Sequence, residues 1–115
     1  MEKQRLISSY DEINDTFVGK IDGKRGYCAD YNISDGIFLV LDENRIPFSV
    51  FVDGASDVFD ISKGMLESAD VRIVLGCDKV FLNFKLFIEG LKICSLKSEN
   101  KYGMPKFNFC LDSNF

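Results

Sequence analysis

Histidine and tryptophan are both missing from this 115-residue chain, and proline occurs only twice. Without imidazole, no side chain has an ordinary pKa near neutrality, so histidine-based catalysis is excluded. The four cysteines, Cys28, Cys77, Cys94 and Cys110, include no C-x-x-C pair and are too few for a disulfide framework. Reduced, packed thiols are expected. No apolar run approaches the ~20 residues that cross a bilayer, and the leading MEKQRLISSYDE has charge with no apolar stretch behind it. A cytoplasmic protein with no membrane association is expected. Positive charge is also short, with 14 Lys and Arg against 18 Asp and Glu and a formal net charge of −4. The basic residues are scattered singly or in pairs such as Lys24 and Arg25, which opposes binding to a phosphate backbone. No nucleic acid is expected as a partner, and a protein partner is expected to be basic.

What the chain has is phenylalanine and alternation. Eleven Phe and four Tyr supply core volume in a chain that is 46% hydrophobic, enough for one domain over residues 1–115. The clearest element is Gly36 to Val52, two apolar runs about a turn at Asp42, Glu43, Asn44 and Arg45. Pairing across that turn sets Leu41 against Ile46, Leu39 against Phe48 and Ile37 against Val50, with Phe38, Val40, Ser49 and Phe51 on the other face. Before it, Thr16 to Ile21 and Lys24 to Ile33 read as strands joined at Asp22-Gly23, a dipeptide suited to a tight hairpin turn, which places Val18 opposite Tyr27 and Phe17 opposite Cys28. Arg5 to Tyr10 is a further candidate strand.

After Val52 the stretch DGASDVFD carries turn formers, and Ile61 to Ala69 is the one helix candidate, with Ser62 as its N-cap. Strands then resume. Val71 to Leu75 is one, and Val80, Leu82, Phe84, Leu86 and Ile88 alternate with Phe81, Asn83, Lys85 and Phe87 over another. A tight turn at Glu89-Gly90 sets Leu86 by Ile93 and Ile88 by Leu91, and Lys106 to Leu111 is expected to return alongside, with Ile93 near Leu111. The fold expected is α+β: mainly antiparallel β meanders of about eight strands with one short helix near 61–69. In domain terms, 10–56 is a first meander, 57–70 a loop and helix, and 71–111 a second meander.

Tyr10 to Thr16, YDEINDT, and Ile33 to Ser56, ISDGIFLVLDENRIPFSVFVDGAS, carry a pattern. Tyr10, Asp11, Asp15 and Thr16 are followed by Asp35, Gly36 and Ile37, an acidic turn at Asp42 and Glu43, and a closing Asp53, Ala55 and Ser56. In this order and spacing the segment resembles the YuzE-like family of small bacterial domains of unknown function (DUF2283), over residues about 10–56. Gly54, between Asp53 and Ala55, is an insertion relative to that pattern. The resemblance implies a small sheet domain and brings no established activity. Because some such domains are encoded beside small toxin-like proteins, it also suggests an antitoxin-like binding role by analogy.

Candidate chemistry is sparse. Asp53, Asp57 and Asp60 lack the alternate spacing and closing Glu of a calcium loop, so no metal is expected. Cys77 in the turn GCDK is expected near solvent, but no base stands ready to activate it. No cofactor and no catalytic residue are expected. Cys94 and Cys110 fall opposite each other if the last two strands pair, within reach of a disulfide. That second face, with Phe81, Lys85, Phe87, Lys92, Cys94, Leu96 and Cys110 interspersed with Asn83 and Asn108, has the half-apolar mixture of a partner-facing surface. A homodimer by pairing of the strand edge at Lys106 to Leu111 is a second route to association. The function expected is therefore a non-enzymatic protein-binding module, antitoxin- or immunity-like. Its alternatives are a small-ligand or metal-dependent enzyme using Asp30, Asp35 or Asp53, or a structural homo-oligomer.

Overall fold

The computed structural model describes residues 2–26, 29–68 and 70–115. Nine strands form one sheet in the order β3-β4-β5-β2-β1-β9-β6-β7-β8. The strands are β1 (Glu2–Asp11), β2 (Thr16–Ile21), β3 (Ala29–Ser34), β4 (Ile37–Leu41), β5 (Pro47–Asp53), β6 (Val71–Cys77), β7 (Phe81–Ile88), β8 (Leu91–Glu99) and β9 (Phe107–Asp112). Two short helices, α1 (Ala55–Phe59) and α2 (Lys63–Leu66), lie between β5 and β6. The sheet curls until its edges approach: Tyr102, in the loop before β9, stacks on Tyr31 of β3 at 3.9 Å and donates to the Asn32 carbonyl. All neighbours are antiparallel except β1 and β9, which run parallel. The sheet is therefore mainly antiparallel, as the sequence suggests, with one parallel pair that makes it mixed.

One face of every strand closes on a single core. Leu6, Phe17, Leu39, Val50, Ile73, Phe84, Leu86 and Leu111 are all buried, as the period-two alternation requires. Gly19 marks where the two halves meet most tightly. A Cβ built there would lie 3.1 Å from Ile73 Cδ1 of β6 and 3.2 Å from Leu6 Cδ1 of β1. Glycine is used here for space, not for its backbone freedom.

Strand β1 joins the halves. Its first part, Glu2 to Arg5, pairs with β9, while Leu6 to Asp11 pairs with β2. This arrangement replaces the expected hairpin of β2 with β3. Tyr27 and Cys28 lie outside the described residues, but both sides of β2 are occupied: Phe17 faces Tyr10 and Val52, and Val18 faces Ser9 and Phe51. Asp22-Gly23 still makes a turn, with Lys24 N–H donating to the Ile21 carbonyl, yet the chain leaves the sheet there. Strand β3 instead pairs with β4 alone.

The central hairpin of β4 and β5 forms as expected about Asp42, whose carboxylate accepts from the N–H groups of Asn44 and Ile46. Its register differs by a bulge. Leu41 pairs with Pro47 and Val40 with Ser49, leaving Phe48 as the extra residue, so Leu39 meets Val50 and Ile37 meets Val52. Buried Val50 and Val52 thus take the places expected of Phe48 and Val50.

Two helices replace the single one expected over 61–69. Ser62 does cap α2, its hydroxyl accepting from the Met65 N–H at 3.3 Å. Helix α1 lies in the stretch that reads as turn, and its cause is remote in sequence. Asp15, 41 residues away from Ser56, accepts from that residue's N–H at 3.0 Å and from its hydroxyl at 2.6 Å, while the Asp15 carbonyl accepts from the Ala55 N–H. Tyr10 donates to the same carboxylate at 2.6 Å. Gly54, the inserted residue, takes φ 67° at the N-cap of α1, a left-handed conformation that a side chain would strain.

The donors from Ser56, then Tyr10, hold the Asp15 carboxyl below its ordinary range. A depressed folded-state pKa stabilises the fold above the unfolded value and loses that contribution as pH falls through the folded one. Asp15→Asn is therefore expected to lower the melting temperature at pH 7. It should also flatten the loss of stability below about pH 4, the ordinary carboxylate range, as followed by thermal melts across pH. Gly19→Val is expected to overpack the junction and cost about 1–3 kcal/mol in urea unfolding.

Candidate partner-binding face

Opposed residues in a sheet share a face, so the pairings assemble the outer surface of β1, β9, β6, β7 and β8 row by row. One row is Arg5, Asp112, Arg72, Phe87 and Lys92, and the next is Lys3, Cys110, Val74, Lys85 and Ser95. A third is Asn108, Gly76, Asn83 and Lys97, and Phe81 with Glu99 completes the corner. Six cations stand on this face against the carboxylates of Asp112 and Glu99, with Arg5 also paired to Asp22 at 3.6 Å, in a protein whose net charge is −4. All six are exposed. Lys106 adds a seventh at the rim, beside Asp78, whose carboxyl is held low first by the N–H groups of Phe81 and Val80 and then by Lys97 and Lys106.

Both outer phenylalanines are half-buried beneath cations. The Arg72 guanidinium lies 4.5 Å from the centre of the Phe87 ring, and the Lys97 ammonium 4.0 Å from that of Phe81. Such contacts fix long side chains above the sheet. The outer face of the other half differs: Ile7, Val18, Phe38, Val40 and Phe51 lie there with Lys20 as the cation among Asp11, Asp30 and Asp53. Strand pairing has sorted the charges that the sequence leaves mixed.

Of the residues expected to face a partner, Phe81, Lys85, Phe87 and Lys92 share this face. Cys94 and Leu96 do not. A bulge makes Ile93 the extra residue of β8, so Cys94 pairs with Leu86 and Leu96 with Phe84, both core-facing positions. There they line an opening of about 470 Å³ beside Ser34, Asp35 and Val58. Cys110 has the expected face but is only 5% exposed. Strand β9 pairs with β6 and β1, not with β8, so its edge is not free for a second chain. Of the cations the sequence reading missed, Lys3, Arg5 and Arg72 come from strands that pair with β9, distant in sequence from β1 and β6, whereas Lys97 lies on β8 in the local hairpin with β7. Their signal was alternation with buried neighbours such as Ile73 and Leu6.

Among the described residues, a second polar cluster lies apart from this face. The Asp15 carboxylate accepts from three donors, the hydroxyls of Tyr10 and Ser56 and the Ser56 N–H shared between its two oxygens, and these tie the turn after β1 to the start of α1. Partial burial, reinforced by that hydrogen bond to Asp15, pushes the Tyr10 phenol far above its ordinary value, which holds it as a donor. Cys77, expected near solvent, is only 6% exposed, and burial followed by the charge of Asp78 pushes its thiol up, away from the reactive thiolate.

Cys94 and Cys110 lie three strand spacings apart, about 14 Å at the usual 4.8 Å each, and on opposite faces. A disulfide needs Cα atoms within about 7 Å. Peptide mapping of the oxidised, non-reduced protein is expected to contain no Cys94–Cys110 link. Comparison with protein-family models, curated proteins and solved structures finds no match to the chain, so the functional reading rests on the geometry of this face.

Proposed function

We propose that this chain is a non-enzymatic protein-binding module that offers the outer face of β9, β6, β7 and β8, extended by Lys3 and Arg5 of β1, to an acidic protein surface. The observation that carries the reading is the surplus of cations on one face of a protein that is acidic overall. Such a face steers an acidic partner and repels a basic one. The net charge taken alone suggests the opposite partner, because it averages over a surface that the fold divides.

A nucleic acid is the weaker fit. Binding of single strands to a sheet uses open aromatic rings on which bases stack, and here Phe81 and Phe87 already carry Lys97 and Arg72. The flanking carboxylates of Asp112 and Glu99 also oppose a continuous phosphate track and suit a protein surface of mixed charge. An antitoxin- or immunity-like role, in which the module covers and silences its partner, is compatible with this extended cationic face.

Affinity capture from native lysate with the full chain, run beside a Lys85→Glu/Lys92→Glu variant, tests this reading. Both substitutions are at exposed positions, so the melting temperature should hold. The expected result is a protein retained by the parent after nuclease treatment, released as salt rises, and at least tenfold weaker on the variant. Capture that nuclease abolishes, or that the double reversal leaves intact, contradicts it.

A further inference from the structure

Six of the nine glycines take positive φ and Gly19 is held by close packing, but Gly76 satisfies neither condition. It stands within β6, between Asn83 of β7 and Asn108 of β9, in ordinary strand conformation. A Cβ there would meet only Asn108 Oδ1, at an ordinary 3.6 Å. Glycine weakens the interior of a strand, and β-branched residues are favoured there. The other roomy glycine, Gly64, lies in the exposed turn of α2 and in no sheet. At Gly76 the fold gives no reason for a missing side chain, which leaves close approach from outside as the use of the space.

That space is shaped. Over Gly76 the outer face sinks into an open depression of about 420 Å³, with Asn83, Lys85, Lys106 and Asn108 around it. Its floor is backbone and the half-buried Val74, while its rim carries the ammonium groups of Lys85 and Lys106, the amides of Asn83 and Asn108 and the carboxylate of Asp78. Two ammonium groups beside amides that can donate suit a small anion. Asp78, the acidic residue at the rim, has its carboxylate engaged by the N–H groups of Val80 and Phe81.

We infer that the depression over Gly76 is a carboxylate-recognition subsite, in which Lys85, Lys106, Asn83 and Asn108 receive an aspartate or glutamate side chain of the partner protein. This rests on the acidic-partner reading and deepens it by naming where a partner side chain enters. Gly76 provides the clearance and the lysines the charge, while Asn108, whose Oδ1 is the atom nearest Gly76, would turn its amide to donate. The other recess on this face, a smaller one of about 210 Å³ beside Arg72 and Phe87, is lined by the carboxylates of Asp70 and Asp112, which disfavour a further carboxylate there.

Amide chemical-shift titration of the full chain with a hexaglutamate peptide at low salt tests the assignment. The expected result is saturable shifts at Gly76, Asn83, Lys85 and Asn108. Gly76→Val should keep or raise the melting temperature while weakening the peptide at least fivefold, and Gly76→Ala should do the same to a smaller extent. Lys106→Ala, which leaves β6 unaltered, should also weaken it. Shifts centred on Arg72, Phe87 and Lys92, with undiminished binding to Gly76→Val, remove the subsite and leave the acidic-partner reading standing. Absence of any shift on this face removes both. A lower melting temperature for Gly76→Ala shows that the fold itself needs the glycine, and stronger perturbation of the same amides by inorganic phosphate assigns the recess to a different anion; either overturns the inference.

Discussion

Strand β1 is shared, and the rest of the molecule depends on it. Short hairpins are unstable in water unless an apolar face is covered, and here neither half closes alone. β1 gives its first residues to β9 in parallel and its later ones to β2 antiparallel, so one strand carries the sheet from one half to the other. At that crossing, Leu6 of β1 and Ile73 of β6 close over Gly19 of β2. Buried residues from both halves form one cluster across this junction. The same pairing brings Lys3 and Arg5 alongside Cys110 and Asp112, so the strand that closes the core also widens the basic face.

Alternation was legible wherever one face of a strand is buried. Ile37, Leu39 and Leu41, and again Leu82, Phe84, Leu86 and Ile88, point inward as their spacing requires. Local capping was legible too, at Ser62 and at Asp42. What the sequence hid was which strands become neighbours. Asp22-Gly23 has hairpin chemistry, but the hairpin forms one connection earlier, where Asp11 accepts from the Ile13 and Asn14 N–H groups and Asp15 adopts φ 51°. The parallel pairing of β1 with β9 spans nearly the whole chain and has no local signal. Bulges are equally silent: one extra residue at Ile93 moves Cys94 and Leu96 from the outer face to the inner one.

Helix α1 shows the same limit from the other side. DGASDVFD reads as turn because its own residues favour turns, and its N-terminus is organised by a carboxylate from another part of the chain. Tyr10, Asp15, Ala55 and Ser56, which stand out in the sequence as a spaced pattern, gather into that clamp. Their roles are architectural. For the functional face the hidden variable was charge placement. A count over the chain gives an acidic protein, whereas pairing puts Lys3, Arg5, Arg72, Lys85, Lys92 and Lys97 on one side and leaves most carboxylates at turns and ends. Phe81, Lys85, Phe87 and Lys92 were named from alternation alone; Lys3, Arg5 and Arg72 came from strands that the tertiary order brings beside them.

Native-state hydrogen exchange along denaturant tests the shared strand most directly. If β1 unites both halves, the protected amides of β1, β2, β6 and β9 open in one cooperative event with the same free energy and denaturant dependence. Separate opening of β6 to β9 from β1 to β5, or rapid exchange through Lys3 to Arg5 while β9 stays protected, would contradict the account.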